Sequence, residues 1–98
     1  MLCGGHSEAR AIDAEERDMF VGLKEAVEAM GGQTYSEFEP VSCTSQVVAG
    51  TIFWVKARTN QDFVHFKVFR PLPHTGNPAE VQVVHTGQTE DAAFNING

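Results

Sequence analysis

Two periods divide the chain. Phe20, Leu23, Val27 and Met30 recur at spacings of three, four and three, which stacks them on one helical face. Asp13 followed three residues on by Glu16 forms a capping box that predicts the helix start, and Gly31-Gly32 provides the backbone freedom that ends it. Glu15, Glu16, Asp18, Glu25 and Glu28 fill the remaining turns and read as a solvated acidic face, not a metal site. Gly22 costs the helix about 1 kcal/mol relative to Ala, and its missing side chain leaves room for a strand to approach. Residues 1–12 carry Gly, Ser and Ala without an amphipathic period and read as an extended, mobile segment.

From Tyr35 onward the period falls to two. Residues 38–45, 51–58, 63–69 and 81–86 are rich in β-favouring side chains and are separated by turn formers, so four strands are expected. Phe53, Val55 and Ala57 alternate with Trp54, Lys56 and Arg58, while Val64, Phe66 and Val68 alternate with His65, Lys67 and Phe69. One apolar face implies a sheet covered on one side. The economical arrangement is an α+β domain in which an antiparallel sheet wraps one long helix and the two apolar faces make a single core.

Composition narrows the function more than the fold. The 98 residues suffice for one small domain spanning 1–98, so function has to sit on a surface. The formal net charge is -6, and Arg10, Arg17, Lys24, Lys56, Arg58, Lys67 and Arg70 are scattered singly, which excludes a phosphate-backbone site and hence nucleic acid as a partner. No apolar stretch approaches the roughly 18 residues of a membrane span, and the N-terminus lacks the basic and apolar regions of a signal peptide, so no membrane association and a cytoplasmic location are expected. Cys3 and Cys43 have no CxxC spacing and read as free thiols of a reducing compartment.

Two connections stand out. Gln46-Val47-Val48-Ala49-Gly50 is unusually apolar for a solvated turn: such a tip either continues a strand or offers apolar atoms to a partner. Pro71-Leu72-Pro73-His74-Thr75-Gly76-Asn77-Pro78 is stiffened by three prolines that display Leu72 and His74 between them. In a hairpin architecture the two connections can lie at one end of the sheet as a double ridge.

These segments resemble the stefins, the intracellular branch of the cystatins. QVVAG at 46–50 looks like that family's first inhibitory loop. Phe63-Val64-His65-Phe66-Lys67-Val68-Phe69 followed by Leu72-Pro73-His74 looks like its fourth strand and second loop, and Met1-Leu2-Cys3-Gly4 like its glycine-marked N-terminal trunk. The likeness runs to about Pro78. It departs from the family pattern in residues 89–98, which lack the usual aromatic ending, and at Val84, where an aromatic is frequent.

The resemblance implies a cystatin-like fold of four to five antiparallel strands around one helix. It also implies a reversible, competitive inhibitor of papain-like cysteine proteases such as papain and cathepsins, with no cofactor and no catalysis of its own. Residues 1–12 become the trunk, and the expected contacts are Leu2, Cys3 and Gly4 of the trunk, Gln46, Val47, Val48, Ala49 and Gly50 of the first loop, and Leu72, Pro73 and His74 of the second.

Two rival readings belong to other classes. An enzyme would need Cys43 paired with His65 or His85, for which no orienting carboxylate or glycine motif is evident; His65 reads instead as a satisfied core or rim histidine and Trp54 as packing. A self-associating protein would open the QVVAG turn into one continuous strand and exchange elements, turning the expected monomer into a swapped dimer without inhibitory activity.

Overall fold

The computed structural model describes residues 9–94. Strand β1 (Arg10–Ala11) leads into helices α1 (Ala14–Val21) and α2 (Lys24–Gly31), followed by β2 (Phe38–Val48), β3 (Gly50–Thr59), β4 (Phe63–Pro71), a 3-10 turn (Pro73–Thr75) and β5 (Glu80–Gln88). The strands form one antiparallel sheet in chain order. This is the α+β arrangement expected, with β1 as the fifth strand: Arg10 and Ala11, inside the segment read as mobile, pair with Cys43 and Ser42.

The helical stretch starts where the sequence says it should. The Asp13 carboxylate accepts from the Glu16 amide at 2.7 Å and the Glu16 carboxylate accepts from the Asp13 amide at 3.2 Å, closing the capping box. The helix is not continuous, however. At Gly22 the bonding tightens, with the Leu23 amide donating to the Phe20 carbonyl at 3.0 Å, and the regular pattern resumes when the Val27 amide donates to Leu23 at 3.1 Å. Glycine's low helix propensity makes this the least costly place for a break.

Phe20 and Val27 stay on the buried face, whereas Met30 is 51% exposed. No strand approaches Gly22, where a Cβ would meet only the carbonyls of Asp18 and Met19 at 3.4 Å. The close approach is at Gly31, where a Cβ would stand 3.0 Å from Thr86 Cγ2 and 3.2 Å from Val84 Cγ1 of β5.

The acidic face is only partly a solvated one. Glu16 is buried and accepts two hydrogen bonds from the Arg10 guanidinium at 2.8 and 2.7 Å, tying β1 to α1. The Glu28 carboxylate accepts from the Tyr35 amide at 2.7 Å and fixes the chain's exit from α2.

The main core lies between the helices and the sheet. Phe20 meets Phe53 and Phe66 edge to face, with ring centroids 5.2 and 6.3 Å apart, among Val27, Val55, Ala57, Val64 and Val68. The predicted inward residues of β3 and β4 are therefore buried.

The other face is covered too, contrary to the one-sided sheet expected. Trp54 and His65 are each only 1% exposed. His85 stacks on Trp54 at 5.5 Å, and Phe94 lies 4.6 Å from His65 and 6.3 Å from Trp54. Lys56 sits over the Phe94 ring at 5.8 Å and donates to the Glu90 carbonyl at 2.6 Å, holding the C-terminal segment against the sheet. His65 is buried as expected but not satisfied, since its Nε2 has no hydrogen-bond partner. Among the described residues no helix is long and apolar enough to cross a membrane.

Candidate protease-binding wedge

The first apolar connection is part of the hairpin itself. Gln46 pairs with Ile52, Val47 with Thr51 and Val48 with Gly50, leaving Ala49 alone at the tip. Both alternatives left open by the sequence hold together: the strand continues to Val48, and it still presents apolar atoms, because Val47 is 79% and Val48 42% exposed. Val47 is largely uncovered and Val48 only half covered by the chain, and exposed apolar residues grouped at one tip are suited to burial by a partner.

Gly50 is the residue that makes the turn tight. Its φ of +129° lies where L side chains are strained, and a Cβ there would stand 2.5 Å from the Arg70 carbonyl oxygen and 3.1 Å from the Phe69 ring. Phe69, which reads only as a strand residue in sequence, and Arg70, which reads only as a scattered cation, thus form the support beneath the tip. Nothing but the strand register could have identified them.

The same register builds the second ridge beside the first. Gly50 pairs with Pro71 across β3 and β4, so Leu72 leaves the sheet next to the Ala49 tip. Leu72 is 39% exposed and precedes a 3-10 turn with Pro73 at its start. The Leu72 carbonyl accepts from the Thr75 amide at 3.1 Å and from the Thr75 hydroxyl at 2.8 Å, and that hydroxyl accepts from the Asn77 amide at 3.3 Å. These bonds and the prolines fix the loop before any partner arrives, which lowers the entropy lost on binding. His74 is exposed on the turn. Leu2, Cys3 and Gly4 lie outside the described residues.

Nothing in this region resembles catalytic machinery. Cys43 pairs with Val55 and belongs to the helix-side core, and burial pushes its thiol up to about 11. His65 and His85 pair with each other on the opposite face of the sheet, so no nucleophile and base are brought together. Among the described residues no group of three or more His, Cys, Asp and Glu is placed to hold a metal.

No protein-family model matches the chain. Individual relatives do. Cystatin-A1 of Sus scrofa is 35% identical over 92 residues, covering 93% of this chain and 89% of the relative. Leukocyte cysteine proteinase inhibitor 1 of the same species is 34% identical over 92 residues, again 93% and 89% of the two chains. Among solved structures, a secreted type 1 cystatin from Fasciola hepatica superposes with a TM-score of 0.72 at 28% identity, over 84% of this chain and 94% of that one. Near-complete coverage of inhibitors, together with the same sheet-and-helix architecture, shows that the chain belongs to the stefin-type branch of the cystatins, the cysteine protease inhibitors.

Proposed function

We propose that the protein is a reversible, tight-binding, competitive inhibitor of papain-like cysteine proteases, papain and cathepsins among them, and that it acts as a monomer. The observation that carries this reading is the pairing of Gly50 with Val48 on one side and Pro71 on the other, which puts exposed Val47, Val48 and Leu72 at the same end of the sheet. A papain-like enzyme cuts only when a substrate carbonyl reaches its thiolate in near-attack geometry. A rigid pair of turns wedged into the groove excludes substrate by shape and apolar burial while offering no such carbonyl.

The trunk residues Leu2, Cys3 and Gly4 extend the wedge into the non-primed side. Gly4 lets the backbone pass the catalytic centre without a side chain in the way, and Leu2 and Cys3 fill the adjoining pockets. An interface of the usual protease-inhibitor size, about 1,600 Å² in total, is compatible with nanomolar affinity. The working compartment we assign is the cytoplasm, where Cys43 stays reduced.

Titration of active papain with a fluorogenic substrate tests the reading. Stoichiometric, reversible loss of activity that weakens with Val48→Asp and with removal of residues 1–4 supports it; a folded monomer that leaves papain active sinks it. Size-exclusion chromatography with inhibition measured across the peaks addresses self-association. A strand-swapped dimer buries the tip at Val47 to Gly50 and should not inhibit.

A further inference from the structure

We propose that a groove on the flank of the wedge accepts a lysine or arginine side chain of the bound protease, so that Glu80 helps to select which papain-like enzymes are inhibited. The proposal rests on the inhibitory reading above and deepens it.

The groove has a volume of about 420 Å³ and is lined by Ala49, Phe69, Pro71 and Pro78, with Asn77 and Glu80 adding polar atoms. Ala49 is the tip of the first hairpin and Pro71 immediately precedes Leu72 of the second loop, so the groove is continuous with the two ridges. Whatever enters it while the wedge is seated comes from the same enzyme. The pairing of Phe69 with Glu80 across β4 and β5 sets the carboxylate beside the aromatic lining.

Glu80 is exposed and, among the described residues, forms no ion pair. The two ion pairs among the described residues, Arg10–Glu16 and Arg17–Glu39, do not include it. Arg70, the nearest candidate in sequence to Phe69, is turned to the other side of the sheet and lies 5.3 Å over the Phe53 ring. The Thr75 hydroxyl is occupied by its bonds to Leu72 and Asn77.

The chemistry of the occupant follows from this lining. A purely apolar side chain would strip water from the Glu80 carboxylate without replacing its hydrogen bonds. An acidic one would be repelled. A lysine or arginine satisfies both halves of the groove, with its methylene stem against Phe69, Pro71 and Pro78 and its cation at Glu80. The net charge of -6 steers the whole molecule toward such a basic rim.

The test compares wild type, Glu80→Gln and Glu80→Lys as inhibitors of papain at about 50 mM and about 300 mM salt, with melting temperature as the folding control. Glu80→Gln should keep its fold and weaken inhibition about 3- to 10-fold at low salt, Glu80→Lys should weaken it further, and the differences should shrink to about twofold or less at high salt. Equal inhibition by all three proteins at low salt overturns the proposal, and so does a difference that salt does not change. Failure of wild type to inhibit papain overturns the inhibitory reading itself, a result distinct from either.

Discussion

Gly50 faces Pro71 across β3 and β4, and this pairing sets the spacing between the two ridges. Because the Gly50 position has no room for a Cβ against Arg70 and Phe69, Gly50→Ala should cost about 1 to 3 kcal/mol of stability from backbone strain alone. It should also weaken papain inhibition by prying the strands apart beneath Ala49. Chemical denaturation and inhibitor titration on one preparation check both; wild-type values in both would mean that the tight register does not place the wedge.

The buried His65 makes stability depend on pH. Desolvation, with smaller contributions from Lys56 and His85, holds its pKa down to about 4, against an ordinary value of 6.5. The unfolded chain therefore binds the proton first as pH falls. The stabilising contribution is complete above about 6.5 and is lost progressively as pH drops toward 4, by an amount on the order of 1 to 3 kcal/mol. Unfolding free energies from urea titrations at pH 7.5 and pH 4.5 should differ by this much more in wild type than in a folded His65→Phe variant.

Glu16 adds a second, more acidic transition. The Arg10 hydrogen bond depresses its carboxyl below the usual value, so its contribution is present above about pH 4.5 and fades below it. Arg10→Ala leaves this buried carboxylate without its guanidinium and should cost about 1 to 3 kcal/mol at neutral pH. The loss should shrink as acidification protonates the depressed Glu16 carboxyl in the wild type as well; a loss that does not change with pH would count against the pairing as the source.

Phe94 covers the single tryptophan of the chain. Phe94→Ala should shift Trp54 emission to the red, increase its quenching by acrylamide and lower stability by about 1 to 3 kcal/mol. An unchanged emission maximum would show that residues around Phe94 do not seal this face in solution.

The clearance between α2 and β5 is set at Gly31. Gly31→Ala needs only small shifts of Thr86 and Val84 methyl groups and gains helix propensity, so its net effect should be within about 1 kcal/mol of zero. Gly31→Leu should push the helix from the sheet at a cost of about 1 to 3 kcal/mol. Equal melting temperatures for the two variants would contradict the close packing.

What the sequence disclosed and what it hid have separate physical causes. Period-two alternation identified Phe53, Val55, Ala57, Val64, Phe66 and Val68 as inward because those positions depend on the strand's own geometry. Burial of Trp54 and His65 depends instead on Phe94, a distant residue in an aperiodic stretch, and on His85 across the sheet. Strand β1 was missed because two residues carry no period. Gly22 reads in the sequence as a propensity cost and as room for a strand, not as a helix break, since which residue bonds to Phe20 is a choice of backbone path. The apolar tip and Leu72 were evident from composition, but their adjacency needed the register of β3 and β4.

The double-sided packing of β3 and β4 has a mechanical consequence. With Phe20 against Phe53 and Phe66 on one side and Phe94 and His85 on the other, β3 and β4 act as a beam clamped at its root, and Val47 and Val48 project beyond the clamp. The stiffness of the tip is set where the clamp closes. Loosening the root at Trp54 should therefore blunt the wedge without altering any residue of the Val47 to Gly50 tip or of the Leu72 loop.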